Sequence, residues 1–214
     1  MKIKVCGLKD PENIQAVTAL GPDYVGFICY KPSPRYIAEL PVDAMQNLPA
    51  SIQKTAVFVN EDAENIHSLI DTYGFNVIQL HGDEPPEFSN SFRDKVIVFK
   101  AFGLDENFDF DQLNNYVNKV DYLLFDTKTA AYGGSGKTFD WAMLDNYKLD
   151  IPFFLSGGIS LDNLEEIKKI SHPQFYGVDL NSRFETAPGV KDIGKLKQAF
   201  DIIKKQHITD EVRS

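Results

Sequence analysis

Cysteine, tryptophan and long apolar runs are scarce in this chain, which has two Cys and one Trp in 214 residues. No stretch approaches the roughly 18 consecutive apolar residues that a membrane-spanning helix requires. Met1-Lys2-Ile3-Lys4-Val5 leads straight into strand-like sequence without a signal-peptide pattern. Two cysteines, Cys6 and Cys29, make no disulfide framework in a chain this long, and neither a CxxC nor an HExxH metal signature occurs. Free thiols in a reducing, cytoplasmic compartment are therefore expected. Positive charge is also short: 22 Lys and Arg against 31 Asp and Glu leave a net charge of −9. That balance repels nucleic acid and anionic lipid surfaces. An anionic ligand would have to be met locally, by turn amides, helix N-termini and a few placed Arg or Lys side chains.

What is present is a core-forming composition, 43% hydrophobic and 25% charged, as in one soluble globular domain. Eight short apolar runs recur: IKVCG at 3–7, YVGFI at 24–28, TAVFV at 55–59, NVIQL at 76–80, KVIVFKAF at 95–102, DYLLFD at 121–126, IPFFLSGG at 151–158 and FYGVDL at 175–180. Nearly continuous runs of this kind suit parallel strands buried on both faces. Helical patterns lie between them. Ile66, Leu69, Ile70 and Tyr73 make one stripe stopped by Gly74, and Asp10-Pro11 reads as an N-cap before a first-turn proline. Ser160 reads as the cap of a helix through Leu161, Leu164 and Ile167, and Ile193, Leu196, Phe200 and Ile203 stripe the last helix. The expected organisation is one α/β domain, a (β/α)8 TIM barrel over residues 1–206 with a frayed polar tail at 207–214. An open doubly wound sheet is the runner-up, since periodicity does not separate closed from open sheets.

A barrel places its chemistry at the strand C-terminal ends. Those ends carry Cys6-Gly7, the Lys31–Arg35 segment, Asn60, His81-Gly82, Asp126, Gly157-Gly158 and Asp179 through Arg183. Turn chemistry alone explains any one of them. Cys6 is either a buried structural thiol or a base that needs a positive environment to favour thiolate. Asp126 follows the apolar run Tyr122–Phe125, where partial burial would raise its pKa as a general acid requires; pairing with Lys128 would do the opposite. Gly157-Gly158 after the seventh strand and Asn181-Ser182 after the eighth offer amides for a phosphate. Arg35 is stiffened by nearby prolines and suits a carboxylate. The segment Ala131–Thr138 ends in the GKT of a P-loop, but Thr127–Ala130 intervene between it and its strand. Nucleotide hydrolysis is kept as an alternative.

Together these stretches resemble the phosphoribosylanthranilate isomerase family. The resemblance spans nearly the whole chain: Lys4-Val5-Cys6-Gly7-Leu8, Gly26-Phe27-Ile28 through Ser33-Pro34-Arg35, Val57–Asn60, Gln79–Glu84, Phe125-Asp126, Gly133–Trp141, Ser156–Ile159, Gly177-Val178-Asp179 and Pro188–Asp192. It implies a (β/α)8 barrel that needs no metal or organic cofactor and performs an Amadori rearrangement of a phosphorylated aminosugar. It places the base on Cys6, the acid on Asp126, the anthranilate carboxylate on Arg35, and the phosphate on Gly157, Gly158, Asn181 and Ser182. It also puts His81 and Asp179 at positions facing the substrate. The chain departs from the family after the eighth strand, where a common Ser-Ser-Gly-Val-Glu run is Asn181-Ser182-Arg183-Phe184-Glu185. Arg183 is expected to add a phosphate contact, and the glycine-rich segment 130–137 to close over the substrate as a lid. A non-catalytic phosphosugar-binding barrel is the remaining alternative. A monomer is expected over a homodimer.

Overall fold

Eight parallel strands close on themselves in sequence order. They are β1 Lys2–Cys6, β2 Tyr24–Ile28, β3 Gln53–Phe58, β4 Val77–Leu80, β5 Ile97–Leu104, β6 Tyr122–Thr127, β7 Phe153–Leu155 and β8 Phe175–Leu180. This computed structural model describes residues 1–39, 42, 45, 47–128, 139–167 and 169–211, with 205–211 as backbone only. Closure is made by β1 on β8, where Lys2, Ile3, Lys4 and Val5 pair with Gly177, Val178, Asp179 and Leu180. The open-sheet alternative is thereby excluded. A two-stranded hairpin, β9 Glu185–Ala187 and β10 Val190–Lys191, follows the barrel's last strand.

Alternation along the strands sorts the side chains into two cores. One face packs outward, burying Ile3, Val5, Val25, Phe27, Ala56, Phe58, Ile78 and Leu80 beneath the surrounding layer. The other face fills the barrel with Tyr24, Val77, Phe99, Ala101, Leu124 and Phe154, against which Ile97, Tyr122 and Tyr176 also pack. Rings of Tyr24, Phe99 and Phe154 meet at 5.0–5.5 Å between centroids. Such pairs add about 0.5–1.5 kcal/mol each beyond the area they bury. Most of these rings come from the early residues of their strands, so they form an aromatic floor at the barrel's N-terminal end and leave the C-terminal mouth to polar residues.

The connecting elements are shorter than the alternating pattern suggests. Helix α1, Pro11–Thr18, starts as expected, with Asp10 accepting from the Asn13 amide and Pro11 in the first turn. Helix α2, Ala63–Tyr73, buries Ile66 and Ile70 and ends on Gly74 at φ 63°, whose amide reaches Ile70 O at 2.8 Å. After β4 comes the short α3, Pro86–Asn90, and among the described residues the helical elements after β5 and β6 are 3-10 turns, Phe110–Tyr116 and Trp141–Asn146. Ser160 does not cap as the sequence suggests. Residues 161–163 form a turn and α4 covers Leu164–Ile167; the Asn163 side chain does the local work, accepting from Ser160 N and donating to Gly158 O. Helix α5 runs from Ile193 to Glu211, past the boundary expected at 206. Among the described residues no helix is long and apolar enough to cross a membrane.

Candidate active site

The barrel mouth holds a cavity of about 220 Å³ that collects six of the residues singled out from the sequence: Cys6, Arg35, His81, Asp126, Asp179 and Asn181. A smaller adjoining recess shares Asp126, Asp179 and Asn181 and adds Gly157, Gly158 and Ser182. Gly157 and Gly158 have φ of 81° and 67°, left-handed values that L side chains adopt only at a cost. A Cβ on Gly157 would lie 2.6 Å from Asp126 Oδ1, so the absence of a side chain lets the turn after β7 pass close over that carboxylate. Arg183 lines neither space; it is exposed on the 3-10 turn Ser182–Phe184. Residues 129–138, which carry both the P-loop resemblance and the expected lid, lie outside the described residues.

Asp126 is the last residue but one of β6, with its Oδ1 accepting from Thr127 N at 2.7 Å and its Oδ2 3.6 Å from His81 Nε2. Gln79 Nε2 lies 2.8 Å from His81 Nδ1 and holds the ring so that its Nε2 faces Asp126. Lys128 pairs with Asp105 instead, at 2.6 Å, which removes the loop-capping ion pair that sequence left open for Asp126. A tight knot holds this wall. Glu84 accepts from Asn60 N and Gly82 N, and pairs at 3.0 Å with Lys100, whose ammonium also reaches Leu80 O and Gly82 O.

Cys6 sits on a different wall, 3% exposed. Gly26 faces it on β2 across the register, and a Cβ there would meet its sulfur at 2.6 Å. Burial pushes the Cys6 thiol above its ordinary value, opposed chiefly by the charge of Lys4 and reinforced by Asp179. Cys29 is also buried, and burial pushes its thiol up to about 12. It lines neither space.

Arg35 is engaged in a way the sequence did not reveal. Its Nε and Nη2 grip both carboxylate oxygens of Glu185 at 2.7–3.0 Å. Glu185 also accepts from Gly189 N and from Lys191 Nζ, and Lys191 Nζ in turn reaches Asn181 Oδ1 at 2.8 Å. Arg35, Glu185, Lys191 and Asn181 thus form one chain of bonds across the mouth. Gly7, at φ 79°, allows its closure, because a Cβ there would meet Arg35 Cδ at 2.7 Å and Asn181 Oδ1 at 2.8 Å. Lys4, Gln79, Ser156, Glu185 and Lys191 escaped the sequence reading. For Lys4 a signal existed: a lysine in the middle of an apolar strand, two residues before Cys6 and on the same face.

Fold and mouth together define a parallel (β/α)8-barrel protein with a thiol and carboxyls in one C-terminal cavity and a glycine turn in the recess beside it. A profile of the N-(5'phosphoribosyl)anthranilate (PRA) isomerase family matches residues 3–202. N-(5'-phosphoribosyl)anthranilate isomerase of Parabacteroides distasonis is 44% identical over 200 residues, covering 92% of this chain and 90% of that one. The crystal structure of phosphoribosyl anthranilate isomerase from Thermus thermophilus superposes with a TM-score of 0.84 at 30% identity, covering 96% of this chain and 100% of the other. Another phosphoribosyl anthranilate isomerase structure, solved in complex with reduced 1-(o-carboxyphenylamino)-1-deoxyribulose 5-phosphate, gives 0.79 at 28% identity over 96% and 99%. The chain belongs to the phosphoribosylanthranilate isomerase family.

Proposed function

We propose that this chain converts N-(5-phosphoribosyl)anthranilate to 1-(2-carboxyphenylamino)-1-deoxyribulose 5-phosphate, an Amadori rearrangement in tryptophan biosynthesis. The observation that carries the reading is the convergence of Cys6 and Asp126 on one cavity that continues into the Gly157-Gly158 recess. Asp126 gives its proton to the ribose ring oxygen; the ring C–O bond breaks as the anilino nitrogen forms a Schiff base at C1. The C2 hydrogen, acidified by the adjacent iminium, passes to the Cys6 thiolate, and its electron pair forms the enolamine. A proton on C1 and loss of the one on the C2 hydroxyl then give the ketone. His81, oriented by Gln79, turns its ring toward the Asp126 carboxylate.

Gly157 and Gly158 amides, with Asn181 and Ser182, receive the phosphate, and Arg183 approaches it from the rim. Arg35 receives the anthranilate carboxylate on its Nη1 side, since Glu185 takes the opposite edge. Asp179 faces the sugar. The protein works as a cytoplasmic monomer, consistent with Val42 and Val117 being the exposed large apolar side chains among the described residues. Light scattering at assay concentration tests that state.

The decisive assay generates the substrate in place from anthranilate and phosphoribosyl pyrophosphate and follows its consumption, with ATP hydrolysis measured in parallel. Consumption above the uncatalysed rate is expected, without ATPase activity. Cys6→Ala and Asp126→Asn each lower kcat by at least about a hundredfold while product affinity holds. Near-wild-type turnover in either variant removes that residue from the mechanism, and saturable product binding without turnover marks a binding barrel.

A further inference from the structure

We propose that Lys4 is a positioning residue for the Cys6 thiol: its buried ammonium, tethered to Asp179, is the fixed counter-charge against which Cys6 loses and regains a proton. The inference rests on the reading of Cys6 as the base. Lys4 and Cys6 stand two residues apart on β1, and the register partners of Lys4 are Tyr24 and Asp179, both residues of the barrel interior. Lys4 is wholly buried, and its Nζ lies 2.9 Å from Asp179 Oδ2. Cys6 and Asp179 both line the cavity, so the ammonium is placed beneath the two of them.

A buried ammonium is a costly way to tie two strands. Its desolvation penalty is several kcal/mol, and an apolar residue of like volume fills such a place at least as well. β1 and β8 are already joined by four register pairs. Nor is the pair with Asp179 saturated: among the described residues Asp179 Oδ1 is buried without a hydrogen-bond partner, and an ammonium has two donors left after one bond to Oδ2. The site therefore holds a carboxylate that is only half engaged, next to a cation with hydrogens to spare and a thiol. That is an arrangement for exchanging charge rather than for locking strands.

Among the described residues, Lys4 on its own strand, Asp179 on β8, Lys191 on β10 and Cys29 after β2 act on Cys6, and Asp126 on β6, His81 after β4 and Arg35 after β2 share its cavity. Burial drives the thiol up, and among these groups Lys4 opposes it most, ahead of Lys191. Lys4 itself stays charged. Burial pulls it down, but Asp179 and Cys6 outweigh that and hold it above its ordinary value.

The test is the pH dependence of Cys6 alkylation by iodoacetamide, followed by mass spectrometry in a Cys29→Ser background without substrate. Lys4→Met keeps the length and removes the charge. The midpoint is expected to rise by at least about one pH unit, so that below it the variant reacts about tenfold more slowly. Its kcat falls at least about tenfold at neutral pH, with KM within about threefold, and recovers as the pH rises. A lower melting temperature with an unmoved alkylation midpoint is what a strand tie would give, and it overturns the proposal. Should Lys4→Met fail to fold, wild-type protein labelled with ¹⁵N-lysine answers the same question. The Lys4 Nζ resonance must move at the Cys6 midpoint and lose that step in Cys6→Ala; a resonance indifferent to Cys6 overturns the proposal. Turnover surviving in Cys6→Ala would instead sink the base assignment while leaving the thiol–ammonium coupling intact.

Discussion

Replacing Gly157 by alanine separates the backbone cost of the β7 turn from its role in placing Asp126. The residue sits at φ 81°, and the new Cβ would lie 2.5 Å from Thr127 Oγ1, 2.6 Å from Asp126 Oδ1 and 2.6 Å from Thr127 N. Two of those atoms leave little room to yield: one is backbone and the other is held by the Thr127 amide. The left-handed conformation costs about 1–2 kcal/mol for a residue with a Cβ, and overpacking adds about 1–3 kcal/mol. Moving Asp126 Oδ1 from 2.6 Å to ordinary contact at 3.4 Å is a displacement of about 0.8 Å, and misplacement on that scale costs up to about a hundredfold in rate. Gly21 supplies the control. It has φ 70° and nothing within 4 Å of its would-be Cβ, so Gly21→Ala carries the backbone cost alone. Melting temperature falls about 2–4 °C per kcal/mol in a domain of this size, giving a drop of roughly 2–8 °C for Gly21→Ala and roughly 4–20 °C for Gly157→Ala. Only Gly157→Ala should lose kcat. Equal melting temperatures for the two variants, together with unchanged turnover in Gly157→Ala, would refute the argument that contact with Asp126 requires this glycine.

Three further perturbations concern charged side chains around the mouth, the ion pairs of Glu84 and Glu185 among them. Glu84→Gln strands the Lys100 ammonium and should cost about 3–5 kcal/mol in chemical denaturation; adding Lys100→Met should recover part of that, and a double variant worse than the single one would contradict it. Glu185 is pushed up by burial but pulled further down by Arg35 and Lys191, so its carboxyl titrates below its ordinary value near 4.5. Its folded value being the lower, the stability it contributes is present above about pH 4.5 and disappears as the pH falls through the folded value. Glu185→Gln should therefore be less stable than wild type at neutral pH, with the gap closing in acid; a pH-independent gap argues against the ion pair. For Arg183→Ala, a KM that rises at low salt and converges on wild type as salt increases is expected from a rim contact to phosphate, and an unchanged KM throughout excludes that contact.

How much could be read from the sequence depends on how local each cause is. A strand buried on both faces announces itself as an unbroken apolar run, so all eight were visible, and with them Cys6 and Asp126 at their ends. Helix caps were legible where the capping residue directly adjoins the helix, as at Asp10 before α1 and Gly74 after α2. They failed at Ser160, because a three-residue turn intervenes and Asn163 takes over the backbone bonds. Ion pairing was not legible at all. Arg35 and Glu185 are 150 residues apart, and Lys4 and Asp179 are 175 apart; only closure of the barrel brings each pair together. The expectation that Arg35 awaits a carboxylate was thus formed without its internal partner, which occupies one edge of the guanidinium.

The aromatic floor has a kinetic meaning as well as a structural one. With Tyr24, Phe99 and Phe154 filling the barrel beneath the cavity, the described residues close it toward the N-terminal end and leave the mouth as the way in. Ketose must leave by the way the aminoaldose came, so the two traffic through one passage and exclude each other there. Product accumulating in the cell would throttle the enzyme competitively, and a downstream consumer that drains the ketose sets the pace at which the doorway clears.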